Sequence, residues 1–265
     1  MNIVVADLLV QYERLENNSE IKHGINSGKT PRNNLVLIIP GWADTASSWR
    51  NVQTELAAEF DVVVLDLPGF GGSQKPTTDW GLDDYADFIG AFVVKLGAGQ
   101  PYAVIGHSNG GAVAIKSIAA GSVKPTKLVL IAAAGIRSPA ALRNSALKII
   151  SKTGKFITAP LPARVRRRLR QHVYKRAGSD MLIVEDMQAS FKKIVATDVQ
   201  VDAAALHLPT LLIYGDVDTA TPLAFGHTYN KLIADSTLKI LPGAGHFAFI
   251  EQSAEVLRLV REFLI

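Results

Sequence analysis

The sequence contains no cysteine among its 265 residues. This absence excludes a disulfide framework, a thiolate nucleophile and a zinc site with cysteine ligands. No apolar run reaches the roughly 18 to 20 residues of a membrane-spanning helix. The first residues, MNIVVADLLVQYE, also lack the basic start and the cleavage site of a secretory signal. The sequence therefore predicts a cytoplasmic protein without a membrane span.

Acidic residues are missing from one long segment of the chain. Between residues 137 and 179 there are twelve Lys or Arg and no Asp or Glu, in a chain with a formal net charge of +4. Three interpretations stay open: a solvated helix face, attraction of an anionic substrate, and peripheral contact with an anionic membrane. Nucleic acid is not a predicted partner, because aromatic residues are not interleaved with the basic ones.

Short apolar runs alternate with helical patterns along most of the chain, which is typical of strand–helix–strand units. We therefore predict an α/β fold with a mostly parallel central sheet flanked by helices. The first sixteen residues are more polar and alternating, as in an antiparallel edge pair. The predicted strands begin at Leu35, Asp61, Tyr102, Lys127, Thr210 and Thr237, and the predicted helices cover 47–58, 82–96, 109–121, 222–234 and 249–264.

This alternation is interrupted between Ile136 and Leu206, where helical patterns occur without a strong strand signal. Because the interruption lies between two core strands, it predicts an inserted helical lid that covers one end of the sheet. The predicted organisation is a core of residues 1–135 and 207–265 with a strongly basic lid of residues 136–206.

Ser108 lies in the string GHSNG, directly between a predicted strand and a predicted helix. A nucleophilic serine in such a sharp turn needs small residues two positions before and two positions after it, and Gly106 and Gly110 meet that need. The alternative is an ordinary strand-to-helix turn in which Ser108 caps the helix. The pattern favours a nucleophile.

A serine nucleophile needs a histidine base and a carboxylate that orients the base. His246 lies in a glycine-rich loop after the last predicted strand, at the strand ends where such sheets hold their active sites. The alternative for His246 is a structural loop residue. Two candidate acids, Asp216 and Asp218, follow the preceding strand, and the spacing alone does not choose between them.

The chain resembles the α/β-hydrolase superfamily, particularly its lidded esterase, lipase and carbon–carbon hydrolase branch. The resemblance covers nearly the whole chain and depends on six motifs in the family order: IIPGWADTASSW, DLPGFGGS, LDDYADFI, GHSNGG, YGDVDTATP and GAGHF. It implies a catalytic triad of Ser108, Asp218 and His246, with Asp216 as a turn residue.

The resemblance also implies an oxyanion hole made by the backbone N–H groups of Trp42 and Asn109. One departure is Pro40 before Gly41, where the family usually has histidine; it affects the expected loop geometry but removes neither donor. We expect the substrate pocket to include Gly41, Phe70, Trp80, Phe156 and Phe247.

The sequence therefore predicts a serine hydrolase that cleaves a small-molecule carboxylic ester, with no metal or organic cofactor. The same residues suit a carbon–carbon bond hydrolase, a lactonase or an amidase, so these stay open. A non-catalytic binding module and a membrane-surface protein are the alternatives from other classes. The sequence does not indicate the oligomeric state.

Overall fold

A computed structural model describes residues 1–17, 34–137 and 185–265 of the protein. Eight strands are present in these ranges: β1 (Asn2–Val5), β2 (Leu8–Leu15), β3 (Leu35–Ile39), β4 (Asp61–Leu65), β5 (Ala103–His107), β6 (Lys127–Ile131), β7 (Thr210–Gly215) and β8 (Ser236–Leu241). The α-helices described are α1 (Arg50–Leu56), α2 (Leu82–Leu96), α3 (Asn109–Ala119), α4 (Gln188–Ala196), α5 (Gln200–Ala204), α6 (Leu223–Leu232), α7 (Ala248–Glu251) and α8 (Ser253–Leu264).

The strands form one sheet in the order β1-β2-β4-β3-β5-β6-β7-β8. β1 pairs antiparallel with β2, β2 pairs antiparallel with β4, and all the other pairs are parallel. All five residues of β3 are buried, as expected for a strand covered on both faces. The predicted fold class, a mostly parallel sheet with an antiparallel edge and flanking helices, is confirmed.

Neighbouring residues of each central strand contribute to opposite faces of the sheet. Leu37 and Ile39 of β3 pack in a cluster with residues of α2 and α3. Val36 and Ile38 pack in a second cluster with residues of α1 and α8. This period of two places helices on both faces and leaves the carboxyl ends of the parallel strands at one edge, where their loops meet.

Two predicted helices differ from the structure. In place of the single helix predicted over 47–58, the structure has a 3₁₀ turn at Ala46–Trp49 followed by α1. The last predicted helix, 249–264, is broken at Gln252, which has φ −131° between α7 and α8. The short α7 places Phe249 against Trp49 with ring centroids 3.9 Å apart, so packing on the 3₁₀ turn before α1 accompanies the break.

Residues 138–184 of the predicted lid lie outside the described residues. Its described part contains a 3₁₀ turn at Glu185–Met187, then α4 and α5. The Val199 N–H donates to the Gly135 carbonyl at 2.9 Å, which connects this part to the end of β6. Within the described ranges, no helix is both long enough and apolar enough to cross a bilayer.

Candidate active site

Ser108 occupies the turn between β5 and α3 with an unusual backbone conformation, φ 51° and ψ −120°. The neighbouring glycines make this turn possible. A Cβ on Gly110 would lie 2.1 Å from the Ile39 carbonyl oxygen, and a Cβ on Gly106 would lie 2.7 Å from the Gly111 Cα. Any side chain at either position would push α3 away from the sheet. The sequence prediction of small residues around Ser108 therefore has a direct steric cause.

The structure brings the three predicted catalytic side chains together. The Ser108 Oγ lies 3.0 Å from the His246 Nε2, and the His246 Nδ1 lies 2.8 Å from the Asp218 Oδ2. These groups come from three loops, after β5, β8 and β7 respectively. Both distances are within the usual range for hydrogen bonds, so the arrangement can carry a proton from the serine to the histidine.

Asp218 is held as a carboxylate. Its Oδ1 accepts the N–H groups of Ala220 at 2.7 Å and Thr221 at 3.0 Å, while its Oδ2 accepts from the Thr221 hydroxyl at 2.7 Å. Burial raises the pKa of Asp218, but the hydrogen bonds to His246 and Thr221 outweigh it, so the pKa lies below its ordinary value.

Asp216, the other candidate acid, lies away from the histidine. Its side chain is exposed and its Oδ1 accepts the Gly243 N–H at 2.7 Å. It therefore connects the β7 loop to the β8 loop, as expected for a turn residue.

The two predicted oxyanion donors belong to residues that neighbour Ser108, one in the chain and one through Gly41. Asn109 is the first residue of α3, so its N–H has no acceptor within the helix. Trp42 follows Gly41, where a Cβ would lie only 3.2 Å from the Ser108 Cβ. In the described ranges, neither N–H donates to a protein acceptor. Both donors are available to a ligand.

Of the residues predicted to line the substrate pocket, Phe70 and Phe247 contact the Trp42 and His246 rings, whereas Trp80 packs elsewhere. The Trp42 ring contacts Phe70 and Phe191, with ring-centroid distances of 4.7 and 5.1 Å. The Phe247 side chain is 43% exposed, and its ring centroid lies 5.2 Å from that of His246. Trp80 packs on α2, 5.1 Å from Tyr85. The predicted pocket residue Phe156 lies outside the described residues.

Sequence reasoning gave no catalytic role to two residues that contact the triad. The His107 ring is buried, and its Nε2 lies 3.0 Å from the His246 carbonyl oxygen. Thr221 contacts both Asp218 and His246. Its spacing of three residues after Asp218 was the available signal, because a threonine at that distance can bond back to an aspartate.

Comparison with known proteins adds the family evidence. The model of the family described as "Alpha/beta hydrolase family" matches residues 36–259. A 2-hydroxy-6-oxo-6-(2'-aminophenyl)hexa-2,4-dienoic acid hydrolase from Metapseudomonas resinovorans is 24% identical over 254 residues, covering 86% of this chain and 83% of that protein. A pimeloyl-[acyl-carrier protein] methyl ester esterase from Nitrosomonas europaea is 25% identical over 234 residues, covering 81% and 89%.

Solved structures agree on the fold. The crystal structure of the enol-lactonase from Burkholderia xenovorans LB400 superimposes with a TM-score of 0.74 at 19% identity, covering 100% of this chain and 99% of that one. At this identity the likeness concerns the fold alone.

Proposed function

Because the chain belongs to the alpha/beta hydrolase family, we propose that it is a serine hydrolase that cleaves carboxylic esters through an acyl-enzyme intermediate. The observation that carries the proposal is the continuous contact from the Ser108 Oγ through the His246 imidazole to the Asp218 carboxylate, 3.0 and 2.8 Å at its two steps. A serine hydroxyl is a weak nucleophile at neutral pH unless such a base is in contact with it.

In the first half of the reaction, the Ser108 Oγ attacks the ester carbonyl carbon while the His246 Nε2 takes its proton. The Asp218 carboxylate holds the imidazole in place and stabilises its positive charge. The carbonyl oxygen becomes an oxyanion, which accepts hydrogen bonds from the N–H groups of Trp42 and Asn109. The C–O bond to the alcohol then breaks, and the alcohol leaves with the proton from His246.

In the second half, a water molecule attacks the acyl-enzyme and gives a proton to His246. The second tetrahedral intermediate uses the same two N–H donors. Its collapse breaks the bond to the Ser108 Oγ, which takes back the proton, and the carboxylic acid is released. The cycle needs no group beyond these residues and water.

The proposed substrate is a small ester whose acyl group contacts Phe70 and Phe247 beside the triad. The basic segment between residues 137 and 179 supports a substrate that carries a carboxylate. We assign that segment to the proposed lid of residues 136–206, inserted into a core of residues 1–135 and 207–265.

A second candidate is hydrolysis of a carbon–carbon bond or a lactone by the same triad. It is supported by the names of the Metapseudomonas hydrolase and the Burkholderia enol-lactonase, whereas the Nitrosomonas methyl ester esterase supports the ester. All these reactions place a carbonyl carbon next to the serine, so the triad geometry does not separate them.

The test is hydrolysis of p-nitrophenyl esters from acetate to a long-chain acyl group, with carboxylate-bearing esters included. Labelling by a fluorophosphonate, followed by mass spectrometry, would identify the reactive serine independently of the substrate. We expect the native protein and Ser47→Ala, a variant at an exposed serine, to react alike, and Ser108→Ala to lose both ester hydrolysis and labelling.

Three outcomes would change the proposal. Ester turnover that survives Ser108→Ala would overturn the serine mechanism. Labelling of Ser108 without ester turnover, together with hydrolysis of a lactone or a dienoic acid, would favour the second candidate. A folded native protein that shows neither labelling nor turnover would indicate a binding module.

A further inference from the structure

The end of β6 contacts the triad at more than one point. Five consecutive carbonyl groups, those of residues 131–135, each lie within hydrogen-bond distance of a donor group from a distant part of the chain, and we call this stretch the β6 end segment. The donors, in order along the segment, are the Ser108 N–H at 3.1 Å, the Thr221 hydroxyl at 2.9 Å, the Tyr214 hydroxyl at 2.8 Å, the Tyr229 hydroxyl at 2.5 Å and the Val199 N–H at 2.9 Å.

The β6 end segment also fixes the backbone of Ser108 from its other side. The Ala134 N–H donates to the Ser108 carbonyl at 2.9 Å, in addition to the bond from the Ser108 N–H to Ile131. Both polar groups of the Ser108 backbone are therefore bound to this segment. The position of the segment determines the position of the serine.

Ala132, within the segment, has φ 47°, a left-handed conformation that is unfavourable for alanine. Both of its backbone polar groups have a neighbouring partner, since its N–H donates to the Ile213 carbonyl at 2.9 Å and its carbonyl oxygen lies 2.9 Å from the Thr221 Oγ1. Such a conformation persists only where the surrounding contacts hold it. The Thr221 hydroxyl is one of those contacts.

A single atom of Thr221, its Oγ1, contacts both Asp218 and His246. Its Oγ1 lies 2.7 Å from the Asp218 Oδ2, 2.9 Å from the Ala132 carbonyl oxygen and 3.1 Å from the His246 Nδ1, and the residue is 4% exposed. The hydroxyl has one proton for two acceptors, and the charged carboxylate is both the nearer and the stronger of them.

We propose that Thr221 is a positioning residue that keeps Asp218 and His246 aligned with Ser108. Its hydroxyl donates to the Asp218 carboxylate, accepts from the His246 Nδ1–H and packs against the Ala132 carbonyl of the β6 end segment. The inference rests on the proposed function, because alignment affects turnover only if the triad acts. In the described part of the chain, His246 and Thr221 are the two side chains that contact the Asp218 carboxylate.

The charge on Asp218 gives the proposal a measurable consequence. The hydrogen bonds from Thr221 are among the causes that lower the pKa of Asp218. The titratable groups that face this carboxylate in the described ranges are His246 from the β8 loop, Tyr214 from β7 and His107 from β5. Removing the Thr221 hydroxyl leaves these three in place and raises the pH at which Asp218 takes up a proton.

The test compares Thr221→Val, which keeps the shape and removes the hydroxyl, with Thr221→Ser, which keeps the hydroxyl. We expect Thr221→Val to lower kcat by roughly 10- to 100-fold with little change in KM, since a bond to a charged group is lost. We expect Thr221→Ser to retain most of the native kcat. If Thr221→Val does not fold, Thr221→Ala serves as the second hydroxyl-free variant.

A titration of the ¹³Cγ resonance of Asp218 by NMR gives a readout that does not need turnover. We expect Asp218 to titrate at higher pH in the hydroxyl-free variant than in the native protein, and Thr221→Ser to restore the native curve. An unchanged titration, or equal losses of kcat in the valine and serine variants, would overturn the proposal. If the native protein has no hydrolase activity, the proposed function fails while the titration still decides the bonding of Thr221.

Discussion

The Nε2 of His107 lies 3.0 Å from the carbonyl oxygen of His246, so the residue before the proposed nucleophile contacts the loop that carries the proposed base. The His107 ring is 1% exposed and lies 4.9 Å from the His246 ring. A carbonyl oxygen accepts only a donor, so the neutral imidazole carries its proton on Nε2. His107 thus fixes the His246 loop with an uncharged side chain.

This contact predicts a pH-dependent stability. The pKa of His107 is lowered to about 3, mainly because the ring is buried and to a lesser extent because His246 is close. In the unfolded chain a histidine takes up a proton below about pH 6.5, so the unfolded state binds more protons between these values and stability falls as the pH falls. At pH 4.5 the loss attributable to this one residue would be about 2 to 3 kcal/mol.

His107→Gln removes the titrating group and keeps an amide donor. We expect its free energy of unfolding in urea to be lower than native at pH 7.5 but to fall less between pH 7.5 and pH 4.5. His227→Gln, at an exposed histidine on α6, is the control and should keep the native pH dependence. Equal slopes for His107→Gln and the native protein would show that His107 does not titrate as the structure implies.

The two acids after β7 give a matched pair of variants. Asp218→Asn removes the charge that faces His246 and changes which ring nitrogen of the imidazole carries the proton. We therefore expect kcat to fall by roughly 10³- to 10⁴-fold. Asp216→Asn changes an exposed side chain whose Oδ1 accepts the Gly243 N–H, and we expect kcat close to native. The measurement is kcat on the best ester of the panel. The assignment is wrong if the two variants lose activity equally.

The strands of the sheet were predictable because each is marked by a short apolar run in the local sequence. Short continuous runs rich in β-branched residues, such as LVLII and DVVVL, favour strands buried on both faces over helices. Ser108 and His246 were predictable for the same reason, since each lies in a short glycine-containing turn at the end of a strand. The structure brings their side chains to 3.0 Å, and their chemical roles stay predictions.

Contacts between distant segments were not predictable. The choice between Asp216 and Asp218 depends on which carboxylate faces a loop about thirty residues later, and spacing alone left it open. Thr221 and His107 contact the triad through atoms that only the packed sheet brings together. The break at Gln252 likewise accompanies the stacking of Phe249 on Trp49, two residues that are far apart in the sequence.

Gly41 provides a test of the proposed oxyanion loop. A Cβ at this position would lie 2.9 Å from the His107 Nδ1, closer than side chains pack, and 3.2 Å from the Ser108 Cβ, tighter than most packed contacts. Gly41→Ala must therefore shift the loop that presents the Trp42 N–H. Since loss of one oxyanion donor costs about 10²- to 10³-fold, we expect kcat to fall by up to about that factor.

Gly81→Ala is the matched control for this variant. Gly81 has φ −103°, and an added Cβ would have its nearest neighbours 3.8 Å away, on Asp84 and Lys193. We expect native kcat for Gly81→Ala, with a loss of thermal stability no larger than that of an ordinary N-cap substitution, about 1 kcal/mol or less. For Gly41→Ala we expect a loss of kcat that is larger than partial unfolding of the variant can account for. If Gly41→Ala instead keeps its kcat while remaining folded, the Trp42 N–H is not held beside Ser108 and the oxyanion hole needs another donor.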